Sequence, residues 1–149
     1  MKTRTLTIFA AATLGTAAIA EGHATGDPAA GEQAFRQCAS CHMIVDDAGE
    51  TIARGGRVGP NLYGLVGRQR GSVEDFRYSD LLIAAGEVED NSAWDEESFV
   101  AYVQNPTGWL TEFTGESGRG KMTYMVRKEE DAVNIWAYLA SVGPDPESM

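Results

Sequence analysis

The sequence predicts an all-α domain built from a few helices and long loops. Three segments combine the helical spacing of apolar residues with recognisable end signals, and no segment has the alternating pattern of a strand. Glycine is abundant, at 17 of 149 residues, which favours a chain rich in loops. So much loop in a compact domain indicates that something other than helix packing fills the centre.

Size and charge narrow the class of protein. The mass of 16.0 kDa suits one domain, and two cysteines are too few for a disulfide scaffold. Twelve basic against 22 acidic side chains give a net charge of −10, which would repel a phosphate backbone. We therefore expect no nucleic-acid binding.

The first twenty residues are predicted to be a cleaved signal peptide, which leaves residues 21–149 as one domain. Lys2 and Arg4 precede an uncharged run of fifteen residues that ends in a small-x-small pattern at Ala20. This run is short for a bilayer span, which needs about 20 residues, so an uncleaved anchor is the weaker alternative. A second possible cleavage position follows Ala24. We expect a periplasmic protein with 10 basic and 22 acidic residues, a mature charge of −12.

The first helix is predicted to begin at Asp27-Pro28, an acidic N-cap followed by a proline at the first helical position. It runs to about Cys38. Gly31 and Phe35 lie four residues apart and so share a face. The missing side chain of glycine allows another helix to approach closely there.

The middle of the chain, from Met43 to Asp90, is punctuated by glycine and has no long helical period. Short helical turns are predicted, for example around Tyr78 to Ala85. A helix follows from Asp95 to Gln104, because acidic residues favour its start and Pro106 ends it.

A loop and a long helix complete the predicted elements. The loop extends from Thr107 to Lys121. The helix extends from Glu129 to Val142, with Ile135 and Leu139 on one apolar stripe, and Gly143-Pro144 ends it.

The chemistry is concentrated in Cys38-Ala39-Ser40-Cys41-His42. Two cysteines separated by two residues and followed directly by a histidine form the attachment pattern of c-type haem. The spacing allows the two thiols to reach the two vinyl groups on one edge of the porphyrin, while the imidazole approaches the iron from one face. One covalently attached haem c would also supply the missing core.

Two other interpretations of the cysteine pair are weaker. A thioredoxin-like redox motif expects a βαβ pattern, which the sequence lacks. A zinc site needs four ligands, and the only other histidine, His23, lies in an N-terminal segment expected to be solvated.

The sixth position on a histidine-bound iron is predicted to take a methionine, because no second ordered histidine is available. Met43 adjoins His42 and cannot reach the opposite face, and Met149 is terminal. Met122 and Met125 both follow a glycine-rich loop that could wrap the far side. Their spacing alone does not choose between them.

Three further motifs follow the haem motif in order: Val58–Arg68 (VGPNLYGLVGR), Lys121–Tyr124 (KMTY) and Ile135–Leu139 (IWAYL). Together the four motifs resemble those of the class I cytochromes c, and the bacterial cytochrome c2 branch in particular. The resemblance covers almost the whole mature chain.

This resemblance implies roles for individual residues. It makes Met122 the sixth iron ligand, and it makes the Pro60 carbonyl the acceptor for the free imidazole N–H of His42, which would fix the ring. It implies that the Tyr102 hydroxyl lies near the methionine sulfur. Donors to the inner haem propionate would be Arg68, Tyr78 and Trp94.

The resemblance also implies a function. We expect a soluble, monomeric, one-electron carrier that is not an enzyme and has no stable membrane insertion. A quinol–cytochrome c reductase, the cytochrome bc1 complex, would be the donor, and a photosynthetic reaction centre or a terminal oxidase the acceptor. Many relatives surround the exposed haem edge with lysines, whereas the mature chain has only Lys121 and Lys128. The alternatives are a haem sensor or enzyme with a displaceable sixth ligand, and a dedicated electron acceptor of one periplasmic dehydrogenase.

Overall fold

The computed structural model of the protein describes residues 24–144. The predicted signal peptide, His23 and Met149 lie outside this range, and the predicted domain limits of 21–149 stay a prediction. The elements run in the order α1 (Pro28–Ala34), β1 (Ile44–Val45), β2 (Thr51–Ala53), α2 (Asp80–Gly86), α3 (Glu96–Gln104), α4 (Pro106–Thr114) and α5 (Glu129–Val142).

The first and last helices cross at a glycine. The Asp27 carboxylate caps α1 by accepting a hydrogen bond from the Ala29 amide at 2.8 Å, and a 3₁₀ turn over Phe35–Gln37 continues the helix. A methyl group at Gly31 would overlap the backbone of α5 at Asn134, so only glycine allows this approach. The Phe35 and Tyr138 rings pack beside the crossing, with 5.6 Å between their centroids. The predicted first helix and its close crossing are therefore confirmed.

A short hairpin follows the cysteine motif, where the sequence showed no strand pattern. Strands β1 and β2 pair antiparallel, and the turn between them is closed by a hydrogen bond from the Gly49 amide to the Asp46 carbonyl at 3.0 Å. Gly49 has φ of 84°, a left-handed conformation that favours glycine. The Asn61 side chain bonds both backbone groups of Val45, at 3.0 and 2.6 Å. The hairpin thus anchors the segment that contains Pro60.

Helices α2 and α3 begin at side-chain caps. The Ser79 hydroxyl accepts from the Leu82 amide at 3.3 Å, in the segment predicted to form short helical turns. The Asp95 carboxylate accepts from the Ser98 amide at 2.7 Å, and the Ser98 hydroxyl accepts in return from the Asp95 amide. These contacts confirm the predicted start of the second long helix.

Helix α4 corrects the predicted loop from Thr107 to Lys121. Pro106 does end α3, but it also occupies the first position of a new helix, where its missing N–H costs nothing. The Asn105 side chain caps this helix by accepting from the Gly108 amide at 3.3 Å. Gly115, with φ of 70°, terminates it. Only residues 115–121 remain a loop.

The core surrounds α5. Ile135 and Leu139 are almost fully buried on its apolar stripe, and Leu110 of α4 and Val126 are buried to the same degree. The fold is that of a few helices and long loops, as predicted. Within residues 24–144, no helix is both long enough and apolar enough to span a bilayer.

Candidate functional site

One mostly apolar cavity lies between the cysteine motif, the loop that contains Pro60, α3 and the loop before α5. Its volume is about 220 Å³. All the site residues predicted from the sequence line it: Cys38, Cys41, His42, Pro60, Arg68, Tyr78, Trp94, Tyr102 and Met122.

His42 is fixed on one wall of the cavity. Its Nδ1 lies 2.9 Å from the Pro60 carbonyl oxygen. A carbonyl can only accept, so Nδ1 carries the proton and the lone pair of Nε2 is left for a metal. Burial lowers the pKa of His42, while the contact with Pro60 opposes that shift. The neutral imidazole is the form that ligates iron.

The backbone of Gly59 lies against the His42 ring. A methyl group there would overlap ring atoms of the imidazole. Methyl groups at Gly55 and Gly56 would likewise overlap the carbonyls of His42 and Ser40. The glycines of this loop are therefore required for the chain to fold back onto the cysteine motif.

The two cysteines lie on one tight turn. The amides of Cys41 and His42 both donate to the Cys38 carbonyl, at 3.0 and 2.9 Å. Burial, together with the neighbouring Cys41, raises the pKa of Cys38 to about 11, so its thiol is protonated at neutral pH. Zinc requires thiolates, and no group of three or more His, Cys, Asp or Glu side chains comes together in the described chain. A pair of thiols beside an apolar cavity fits thioether attachment.

The structure separates the two candidate methionines. Met122 is half-buried and lines the cavity, whereas Met125 is 48% exposed and does not. The Gly120 amide donates to the Thr107 hydroxyl of α4 at 3.1 Å, and the Val126 amide donates to the Val103 carbonyl at 2.8 Å. These two contacts position the segment that contains Met122.

Polar groups gather at one side of the cavity. The guanidinium of Arg68 donates to the Tyr63 and Asn61 carbonyls, at 2.9 and 3.2 Å, and burial lowers its pKa. Burial raises the pKa of Tyr78, and the nearby Arg68 opposes that shift. The pKa of Tyr102 is raised well above its ordinary value by burial. All these hydroxyls are therefore protonated donors at neutral pH.

Two donors, the Trp94 indole N–H and the Tyr102 hydroxyl, suit a polar group inside the cavity. The rings of Trp94 and Tyr102 pack with 5.1 Å between centroids. Neither the Trp94 indole N–H nor the Tyr102 hydroxyl makes a hydrogen bond to another residue in the range 24–144. A cofactor with an apolar body and a polar edge would satisfy both, and the residues present therefore fit a haem.

A hydrogen bond joins the two sides of the cavity mouth. The Tyr124 hydroxyl donates to the side-chain oxygen of Gln37 at 2.8 Å, although the residues are 87 positions apart. Val58, also at the mouth, is 77% exposed. The sequence motifs do not predict this contact.

Arg70 is a buried cation that sequence reasoning missed. Its side chain is 1% exposed and stacks among Trp94, Trp109 and Phe113, the last two from α4. Because α4 was predicted as loop, no sequence signal placed aromatic rings around Arg70. It does not line the cavity, but its neighbour Trp94 does.

Comparisons with known proteins agree with this geometry. No protein-family model matches the chain. The chain is 57% identical to cytochrome c2 of Rhodovulum adriaticum over 125 residues, which cover 83% of this chain and 98% of the relative. It is 49% identical to cytochrome c-551 of Roseobacter denitrificans over 141 residues, covering 94% and 96%. The solved cytochrome c2 of Rhodobacter sphaeroides superimposes with a TM-score of 0.77 at 54% identity, covering 81% of this chain and 99% of that one.

Identity at this level, over this length, defines the class. The chain belongs to the class I cytochromes c, and its branch is that of the bacterial cytochromes c2. It is accordingly an electron carrier with one covalently bound haem c, and not an enzyme. The predicted family, fold class and cofactor are confirmed, and the haem-enzyme alternative is not supported.

Proposed function

We propose that the chain is a soluble, monomeric, periplasmic one-electron carrier in which His42 and Met122 ligate the haem iron from opposite sides. Cys38 and Cys41 hold the haem through thioether bonds. Each thiol S–H adds across one vinyl group, so that an S–C bond forms and the hydrogen goes to the other vinyl carbon. Haem c supplies the couple between ferric and ferrous iron, and the chain supplies its binding, ligation and environment.

One observation carries the proposal. The cavity collects both cysteines, a histidine with its Nε2 lone pair free and one methionine from separate parts of the chain. A thioether ligand favours the ferrous state and raises the potential. An apolar cavity acts in the same direction, because it disfavours the extra positive charge of the oxidised centre.

Arg68, Tyr78 and Trp94 orient the haem edge in this proposal, and the Tyr102 hydroxyl lies near the Met122 sulfur. The Trp94 N–H and the Tyr78 hydroxyl are uncharged donors at neutral pH, and Arg68 is a cation that lines the same cavity. Burying a propionate requires such donors. Arg68 already donates to two backbone carbonyls, which keeps its guanidinium in place.

The charge around the cavity mouth favours an acidic partner. The mature chain is acidic overall, but residues 117–128 contain four exposed basic side chains and no acidic one. Lys121 and Tyr124 of this segment line the cavity mouth. The four basic residues are Arg119, Lys121, Arg127 and Lys128. The donor would be the cytochrome bc1 complex, and the acceptor a reaction centre or a terminal oxidase.

Substitution of the two methionines tests the ligation. Met122→Ala should abolish the far-red band of the oxidised protein, lower the potential and allow carbon monoxide to bind the reduced form. Met125→Ala is the matched control and should leave all three unchanged.

A pyridine haemochrome assay on Cys38→Ser/Cys41→Ser tests the covalent attachment and should show haem that extracts under denaturing conditions. The reverse result for the methionines, or pigment that stays on the cysteine variant, would contradict the proposal.

Salt dependence tests the partner. The rate of reduction by the bc1 complex should fall with rising ionic strength, and Arg127→Glu should slow it at low salt by about tenfold. Arg54→Glu, an exposed site outside residues 117–128 that does not line the cavity, is the control and should change the rate much less. A larger effect at Arg54 would locate docking elsewhere.

A further inference from the structure

We propose that Arg70 is a permanent internal cation that raises the reduction potential of the haem from outside the haem cavity. The proposal deepens the proposed function and depends on it, because it concerns the same haem. Arg70 is neither an iron ligand nor a cavity-lining residue. Its effect would come from its charge alone.

Aromatic rings enclose the Arg70 guanidinium. Its Cζ lies 5.0 Å from the Trp94 ring centroid, 5.4 Å from that of Trp109 and 4.8 Å from that of Phe113. Trp109 and Phe113 stack on each other with 4.5 Å between centroids. The negative faces of these rings attract a cation and hold it without neutralising it.

The charge of Arg70 has little direct compensation. One nitrogen donates to the Asn91 carbonyl at 2.6 Å, while Nε and the second terminal nitrogen have no hydrogen-bond partner. In the described chain no hydrogen bond joins the guanidinium to a carboxylate, and Asp95 acts on it only through space. Arginine stays protonated in proteins, so a full positive charge is held in a weakly screening interior.

Trp94 connects this cation to the haem cavity. Its ring lines the cavity and also packs against Arg70. Trp94 is buried, so little water can enter between the two to screen the field. Adding one electron to the haem makes the site one charge more negative, which a nearby cation stabilises. Arg70 therefore favours the reduced protein.

Stability would not by itself require a cation here. A buried charge without an ion pair is costly, and apolar replacements of similar size are often neutral or stabilising. The Asn91 carbonyl belongs to an exposed residue and can accept from water if Arg70 is replaced. A purely structural role and an electrostatic role therefore predict different results for Arg70→Met.

Redox titration of the haem-loaded protein tests the proposal. Arg70→Met and Arg70→Gln both remove the charge, but they differ in packing and hydrogen bonding. Each should shift the equilibrium with a fixed redox couple about fivefold toward the oxidised form, which is a fall of about 40 mV in reduction potential. Arg77→Met removes an exposed charge and should shift it by less than about twofold. The Arg70 shifts should persist at high salt, because buried charges are poorly screened. The thermal midpoint of Arg70→Met should be unchanged or higher.

A third variant leaves the aromatic surroundings intact. Asp95→Asn keeps an N-cap residue on α3 but removes the carboxylate that opposes Arg70, so the potential should rise. Unchanged potentials in the Arg70 variants would overturn the proposal, and so would a lowered thermal midpoint of Arg70→Met with an unchanged potential. If the Arg70 variants do not fold, an unchanged potential in Asp95→Asn would overturn it. The haemochrome assay and the far-red band, recorded on the same samples, show separately whether the haem and its ligation are as proposed.

Discussion

The two sides of the haem cavity are held by different kinds of contact. On the histidine side, residues 38–62, the loop is bonded backbone to backbone to the cysteine motif. The amides of Gly56, Gly59 and Leu62 donate to the carbonyls of residues 39, 41 and 43, at 2.9, 2.8 and 3.0 Å. Such contacts require an exact chain path, and glycines provide it.

On the methionine side, residues 107–126, the loop after α4 is held by fewer backbone hydrogen bonds. Between the end of α4 and the Val126 amide, no backbone-to-backbone hydrogen bond is formed within the described chain. Side chains hold this stretch instead: Thr107 accepts from the Gly120 amide, Lys121 donates to the Arg77 carbonyl and Tyr124 donates to Gln37. Most of its residues are exposed.

With the ligation proposed above, this difference would make His42 the firm ligand and Met122 the weaker one. Segments with few buried contacts and few backbone bonds open locally at the lowest free energy. The histidine position should therefore survive conditions that release the methionine. Three substitutions test this comparison, in order of decreasing expected effect.

The largest effect is expected where a methyl group meets the histidine ring. Gly59→Ala should destabilise the haem-loaded protein by about 2–3 kcal/mol or more, because the added atom overlaps the His42 imidazole. Gly118→Ala on the methionine side is the matched control. Its methyl group would meet only the Leu81 side chain, at 3.1 Å, and should cost less than about 1 kcal/mol. Denaturant unfolding followed at the haem absorbance measures both, and equal losses would remove the contrast between the sides.

A smaller effect is expected from one hydrogen bond on the methionine side. Thr107→Val removes the acceptor of the Gly120 amide, at a cost of about 1 kcal/mol. Because imidazole binds the oxidised iron only where the methionine has been released, its apparent affinity should rise about fivefold. Thr111→Val is the control, because its hydroxyl bonds only the Gly108 carbonyl within α4. Spectroscopic titration with imidazole distinguishes them. If both variants bind imidazole alike, the Thr107 contact does not control release of the methionine.

The smallest effect is expected at the bond between the two sides. Tyr124→Phe removes the hydrogen bond to Gln37, and this exposed contact should be worth about 0.5 kcal/mol, or about twofold in imidazole affinity. Gln37→Met should have a similar effect, and the double variant should add nothing to either one. Additive effects would mean that the two side chains do not act together.

The helices that the sequence predicts are those with local end signals. Asp27-Pro28, Asp95 and Gly143 mark boundaries that the structure reproduces within a residue or two. Helix α4 has a start signal as well, but Asn105-Pro106 also suits the end of α3, and the prediction takes it only as that end. The hairpin strands are two and three residues long, too short for any periodicity to be visible.

The residues of the cavity could be predicted because they lie within contiguous motifs. The choice between Met122 and Met125 required either the family resemblance or the cavity itself, since their spacing from His42 carries no geometric information. Arg70 could not be predicted at all. Its burial depends on α4 packing against Trp94, a long-range contact that leaves no pattern in the local sequence.

The contact between Tyr124 and Gln37 has a consequence for biogenesis. Gln37 immediately precedes the first cysteine, so the far end of the chain closes over the place where the thioether bonds form. Both side chains line the cavity that would hold the haem, so we expect the haem to enter before this contact forms. On this view the thiols react while the C-terminal part of the polypeptide is still away from Gln37, and the contact closes after the haem has been attached.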